Sequence, residues 1–161
     1  MRAVTLGLIV GLSLCSTAMA ATPDVDLMAP IHQFIDSFNK GDAATAGATH
    51  SATSDLSITD EVPPHLWRGS KAFGAWAADL EANSKKLGIT DEMVELGAPT
   101  RIETNGKTAY VVVPAVYTFK QKGVAMRESA QMTYALKKDA AGWLIHAWTW
   151  TGPKPGKAPA K

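Results

Sequence analysis

The chain has 161 residues, with 16 Lys and Arg against 15 Asp and Glu and a formal net charge of +1. A balance this even gives no electrostatic reason to seek nucleic acid or an anionic membrane surface. The one cysteine, Cys15, lies in an apolar N-terminal stretch, so the rest of the chain has no disulfide framework, thiol nucleophile or thiolate metal site.

Arg2 supplies a short positive segment, Val4 to Leu14 is an apolar run, and Ala18-Met19-Ala20 sets small residues ahead of a cleavage position. The run is shorter than the roughly 20 residues that span a bilayer. The pattern predicts a signal peptide over 1–20, cleavage near Ala20, and a periplasmic or secreted protein with no membrane span. Cleavage removes Arg2 and Cys15 and leaves basic and acidic residues in equal number.

Beyond it, Leu27, Met28, Ile31, Phe34, Ile35 and Phe38 recur at helical spacing, which predicts an amphipathic helix over 24–38. Gly41 stops it, and Asp42 is placed to cap a short Ala-rich helix ending near Ala48. Leu56 to Thr59 reads as a short strand. Ser70 is the expected cap of a further helix with Phe73, Trp76, Ala77, Leu80 and Leu87 on its apolar face. After Gly88 the pattern becomes strand-like, over 92–103, 108–120, 124–138 and 143–151. Asn105-Gly106, Lys122-Gly123 and Ala141-Gly142 mark tight turns between them. The Pro/Gly/Lys segment 153–161 has nothing to bury and reads as a disordered tail.

Helices followed by an antiparallel meander specify an α+β domain, 21–152, with about three N-terminal helices packed on one face of a curved sheet. Ala130, Met132, Tyr134 and Leu136 alternate with polar residues, so the even positions point inward. In the last strand Trp143, Ile145, Ala147, Thr149 and Thr151 share one face, and Leu144, His146, Trp148 and Trp150 the other. The stretch "AYVVVPAVYTF" is apolar on both faces, which suggests cover by another chain, and Pro114 within it suggests a bulge or bend.

"FIDSFNKGD", the stretch "DLSITDEVPPHLWRG", a helix and a four-stranded meander ending "GWLIHAWTWTG" together resemble the nuclear-transport-factor-2-like superfamily. Within it the chain is most similar to exported SnoaL-like and ketosteroid-isomerase-like proteins. The resemblance covers about 24–152 and implies a cone: one short strand plus the meander, curved around an apolar pocket under the helices. It implies that the set with Ala147 and Thr149 faces the cone. Trp148 and Trp150 then lie on the outer face, where relatives form a homodimer; the opposite assignment, with both tryptophans lining the pocket, stays open.

By the same resemblance Asp60 stands where the isomerases carry their catalytic base. A carboxylate suits that work where the site is dry enough to hold its pKa near the working pH. An Asp ahead of Pro63-Pro64 is equally a turn-former that accepts backbone N–H groups, and both readings stay open. The isomerase oxyanion donors fall on Phe34 and Met132, which have no donor, so steroid isomerisation by that route is not expected. Tyr134, on the same face as Met132, is a candidate substitute donor or a core aromatic. His65 shares a loop with Asp60 and Glu61, which makes it a weak candidate acid, or simply surface. His32, His50, His65 and His146 have no metal-ligand spacing, so no metal or other cofactor is expected. Trp67 either closes over a ligand or anchors its loop.

The expectation is an exported SnoaL-like domain that binds a small, mostly apolar molecule, with Phe34, Trp67, Met132, Ala147 and Thr149 in the pocket. The alternatives are an isomerase or lyase using Asp60, and a non-catalytic dimeric interaction module.

Overall fold

A computed structural model of the chain describes residues 25–159. The signal-peptide expectation lies outside them. Helix α1, Val25–Asn39, buries the expected stripe, with Leu27 and Ile31 fully inaccessible and Phe34 2% exposed. Its end is clamped to the sheet, because the Asn39 amide both donates to Val94 O and accepts from Val94 N, each at 2.8 Å. Helix α2, Ala43–Ala48, has Asp42 as its N-cap, with the carboxylate accepting from Thr45 N at 3.0 Å. Helix α3, Ala72–Leu87, has Lys71 at its N-cap without a side-chain bond, so Ser70 is not the cap; Gly69 O instead accepts from Ala72 N. Gly88 closes α3 in the left-handed region, at φ 68°.

The strands are β1 Ser57–Thr59, β2 Leu66–Arg68, β3 Ile89–Leu96, β4 Arg101–Thr104, β5 Thr108–Gln121, β6 Val124–Asp139, β7 Gly142–Thr151 and β8 Gly156–Lys157. They form one curved sheet in the order β2-β1-β7-β6-β5-β3, with β4 also on β5 and β8 also on β6. Pairing is antiparallel except for β1 on β7, which is parallel. The fold class expected from the pattern is the one observed.

Besides β2, a short strand that was not expected, three local features differ from the pattern. The strand expected over 92–103 is two strands that pair with successive parts of β5, broken at Gly97–Thr100. Pro114 lies opposite that break and accepts from Gly97 N at 2.8 Å. Its missing N–H therefore faces a gap, and β5 pairs with β6 without a bulge there. The C-terminal segment is not a loose tail over its described length. β8 pairs with Met126 and Arg127, and Ala158 N donates to Ala125 O at 2.9 Å. That order comes from backbone pairing, which a composition of Pro, Gly and Lys does not disclose.

The third difference moves side chains from one face to the other. β6 and β7 pair as Leu136↔Ile145 but Ala135↔Ala147, so β7 carries an extra residue at His146. A one-residue bulge reverses the alternation of everything beyond it. Trp143 and Ile145 are inward before the bulge, and Trp148 and Trp150 are inward after it, opposite Tyr134 and Met132. Ala147 and Thr149 are turned to the outer face. The expected faces of Trp148 and Trp150, and of Ala147 and Thr149, are thus exchanged.

Candidate functional site

The inward residues of β5, β6 and β7 pack under α1 at one end of the cone, while toward the other end they stand back from the helices. The space left is a cavity of about 430 Å³ between α1, α3, the loop joining β1 to β2, and the concave sheet. Its wall is aromatic: Phe34 and Phe38 from α1, Trp76 from α3, Tyr117 and Phe119 from β5, Trp148 and Trp150 from β7. Phe34 and Met132, both expected in the pocket, line it.

The rings hold one another in edge and tilted contacts, Trp76 against Trp148 at 5.0 Å and Phe34 against Trp148 at 5.6 Å between centroids. His50 fixes the indole from behind. Its Nε2 accepts from Trp148 Nε1 at 3.0 Å, and its Nδ1 lies 3.0 Å from Ala46 O. These bonds require a proton on Nδ1 and a neutral ring. Burial agrees, since it draws the His50 pKa down to about 4. His50 is a structural support that no spacing motif in the sequence marks.

Asp60 and Glu61, with Val62 and Pro63, form one rim. Asp60 Oδ1 accepts from Glu61 N and Oδ2 from Trp76 Nε1, both at 2.6 Å. One Asp60 oxygen thus shapes the turn and the other is held by Trp76, while the residue lines the cavity. Burial raises its pKa, although the Trp76 and backbone donors pull the other way. Glu61 lines the cavity and meets a second carboxyl, that of Glu128 on β6. Glu61 is exposed at the rim but enclosed on its cavity side; that partial burial, then the charge of Glu128, then that of Asp60, push its pKa up to about 7.

Glu128 is 1% exposed; its Oε1 accepts from Trp150 Nε1 at 2.9 Å, while Oε2 is buried without a hydrogen-bond partner. A protonated Glu61 is the donor at hand for that oxygen. The site is shaped around this carboxyl: a Cβ at Gly152 would overlap Glu128 Oε1 and stand 2.9 Å from Ala130 Cβ. Beside Glu128, on the neighbouring strand β5, Tyr117 donates to Glu92 at 2.6 Å, and burial raises the Tyr117 pKa.

The other expected site residues lie elsewhere. Tyr134 is fully buried and donates to Met132 Sδ at 3.0 Å, so its hydroxyl lies behind Met132 and does not line the cavity. His65 is exposed at φ 76°, with Nδ1 3.2 Å from the Asp60 backbone oxygen, on the outside of the loop. Trp67 is 5% exposed and donates to Asp79 Oδ2 on α3 at 2.8 Å. It anchors the loop to α3 and does not line the cavity. Trp76, expected only as part of an apolar helix face, joins the cavity wall; Glu128 has no local signal in the sequence, and the bulge at His146 hid the orientation of Trp148 and Trp150.

Comparison with solved structures finds the same fold at low identity. A nuclear transport factor 2-like superfamily protein from Salmonella enterica superposes with a TM-score of 0.66 at 17% identity, covering 84% of this chain and 92% of that one. A ketosteroid isomerase-like protein from Erwinia carotovora gives a TM-score of 0.61 at 20% identity, over 80% and 95% of the two chains. A hexachlorocyclohexane dehydrochlorinase gives 0.65 at 11% identity, over 83% and 89%. A search of curated proteins returns no match. The profile of the family described as SnoaL-like domain matches residues 27–149, which is most of the described chain. The chain belongs to the SnoaL-like family.

Proposed function

We propose that this SnoaL-like domain binds a small, mostly apolar molecule inside the cone. The observation that carries the reading is the cavity itself, about 430 Å³ with a largely aromatic wall and the carboxyls of Asp60 and Glu61 at its rim. Apolar pockets with a few convergent polar groups are the usual form of small-molecule sites. A domain serving only as an interaction module would have filled this space with side chains. Native mass spectrometry of the purified protein tests the reading. A co-purifying small molecule supports it, and a bare protein that also binds none of a panel of ring-sized apolar compounds counts against it.

A second reading, an isomerase or lyase, is favoured by Asp60, whose carboxylate faces the cavity with a raised pKa. Asp60→Asn keeps the shape and removes the base. A catalytic base predicts loss of nearly all turnover with affinity retained; a purely structural Asp60 predicts loss of stability instead.

Export and a homodimer belong to the same proposal. With Trp148 and Trp150 turned inward, a pairing surface has to use other groups of the outer sheet face, among which Tyr110 is 39% exposed. Sedimentation of the protein, and of Tyr110→Glu, tests it.

A further inference from the structure

We propose that the ligand carries a cationic amine on its apolar body, and that Glu61, backed by Glu128, is the seat for that amine. The inference rests on the reading that the cavity holds a small molecule, and it adds the charge of that molecule.

Asp60 and Glu61 line one side of the cavity, Glu128 lies buried behind Glu61, and among the described residues no Lys or Arg pairs with any of the three. The ion pairs of Lys and Arg among the described residues are Lys85–Glu81, Arg101–Glu103, Lys120–Asp91 and Lys137–Asp55, all on exposed side chains. The charged groups around Glu61 are few. Glu128 comes from β6 and Asp60 from its own loop, with His65 outside. Glu92 is already bonded to Tyr117, and Lys154 stands exposed at the mouth. Removing a carboxylate from water without a partner is costly. Yet Glu128 is 1% exposed, has an oxygen without a partner, and is accommodated by the missing side chain at Gly152.

Without a ligand, a proton held between Glu61 and Glu128 would relieve the repulsion. An ammonium group placed at Glu61 relieves it better, because it neutralises charge and donates hydrogen bonds in place of that proton. The remaining wall suits the same ligand, since the faces of Trp76, Trp148 and Trp150 attract a cation as well as an apolar ring. A neutral or anionic molecule would leave the carboxyls as they are or repel them. A metal ion fits less well, because among the described residues no three His, Cys, Asp or Glu side chains are placed to hold one. Glu61 makes the contact; Glu128 is a positioning residue that supplies charge from behind.

Calorimetric titration with three compounds of one shape, naphthylethylamine, naphthylethanol and naphthylacetate, tests the inference near neutral pH. The expected order is amine, alcohol, carboxylate, with the amine at least about tenfold tighter than the alcohol, or about 1.4 kcal/mol. Amine binding should also release a proton, seen as a heat that changes with the ionisation enthalpy of the buffer. Glu61→Gln should bring the amine down to the alcohol's affinity and abolish the release. Glu128→Gln, which keeps the shape, should reduce the release. An amine no tighter than the alcohol overturns the cationic ligand while leaving the cavity reading intact. So does a preference that survives Glu61→Gln in a variant whose circular dichroism is unchanged. Failure of all three compounds to bind overturns both.

Discussion

The two ends of the cone are built from the same strands and behave as different materials. At the closed end the inward pairs are Val111↔Tyr134 and Ala109↔Leu136 on β5 and β6, with Ile145 on β7. Val111, Tyr134 and Ile145 are fully buried and Leu136 is 1% exposed. At the open end the inward pairs on the same two strands are Tyr117↔Glu128 and Phe119↔Met126, which face a cavity and carboxyls. Strand alternation alone does not distinguish the ends. The difference lies in what stands opposite, α1 packed down in one case and empty space in the other. Stability should therefore reside at the closed end and binding at the open one.

The largest expected effect is on the closed end. Leu136→Ala should cost about 2–5 kcal/mol in denaturant unfolding, as buried large-to-small changes do. Met126→Ala, at the cavity wall, should cost about 1 kcal/mol or less, because it only enlarges an existing space. Equal losses would erase the distinction between the ends.

Gly152→Ala should come next, at about 1–3 kcal/mol, from the overlap with Glu128 and Ala130. Truncating the carboxyl should relieve it, so the double variant with Glu128→Ala should be more stable than the two separate losses predict. Simple additivity would place the strain elsewhere.

A pH effect separates the open end from the rest. The folded pKa of Glu61 is raised from 4.5 to about 7, so the native state holds more protons than the unfolded chain between those values. Its contribution is complete at acid pH and is lost as pH rises through that window. The raised pKa values of Asp60 and Glu128 act in the same direction. Glu61→Gln resembles the protonated form, so it should melt at a higher temperature than the parent above neutrality and at nearly the same temperature in mild acid. A parent whose advantage over the variant grows with pH would reverse the sign of the account.

The smallest effect distinguishes two tryptophans that each donate to an Asp. Trp67→Phe removes the bond to Asp79 and should cost about 1 kcal/mol of stability with ligand affinity unchanged. Trp76→Phe removes the bond to Asp60, so it should weaken binding and raise the Asp60 pKa further. Loss of affinity in the Trp67 variant would bring that residue back to the cavity mouth.

Much of the fold was legible because periodicity reports directly on which face is buried. The stripe from Leu27 to Phe38, the Asp42 cap, the Asn105-Gly106 turn and the even-numbered face of β6 all follow from local rules. The site was legible where it is local, as at Asp60, Phe34 and Met132. It was not legible past the bulge at His146, because one inserted residue reverses a face without changing composition. That insertion sends Trp148 and Trp150 inward and Ala147 and Thr149 outward. Glu128 escaped notice for a related reason: a Glu on an exposed-looking strand gains its meaning only from Glu61 and Gly152, both distant in sequence.

The placement of the five tryptophans offers the most direct test of the cavity. Trp76, Trp148 and Trp150 line it, whereas Trp67 and Trp143 are buried away from it. Proton–nitrogen correlation spectra of the indole N–H groups, assigned by single substitutions, can follow all of them while naphthylethanol is added. The account predicts that the signals of Trp76, Trp148 and Trp150 move together along one binding curve while those of Trp67 and Trp143 stay in place. Movement of Trp67 and Trp143 with the other three unchanged, or no movement at any concentration the compound allows, would contradict it.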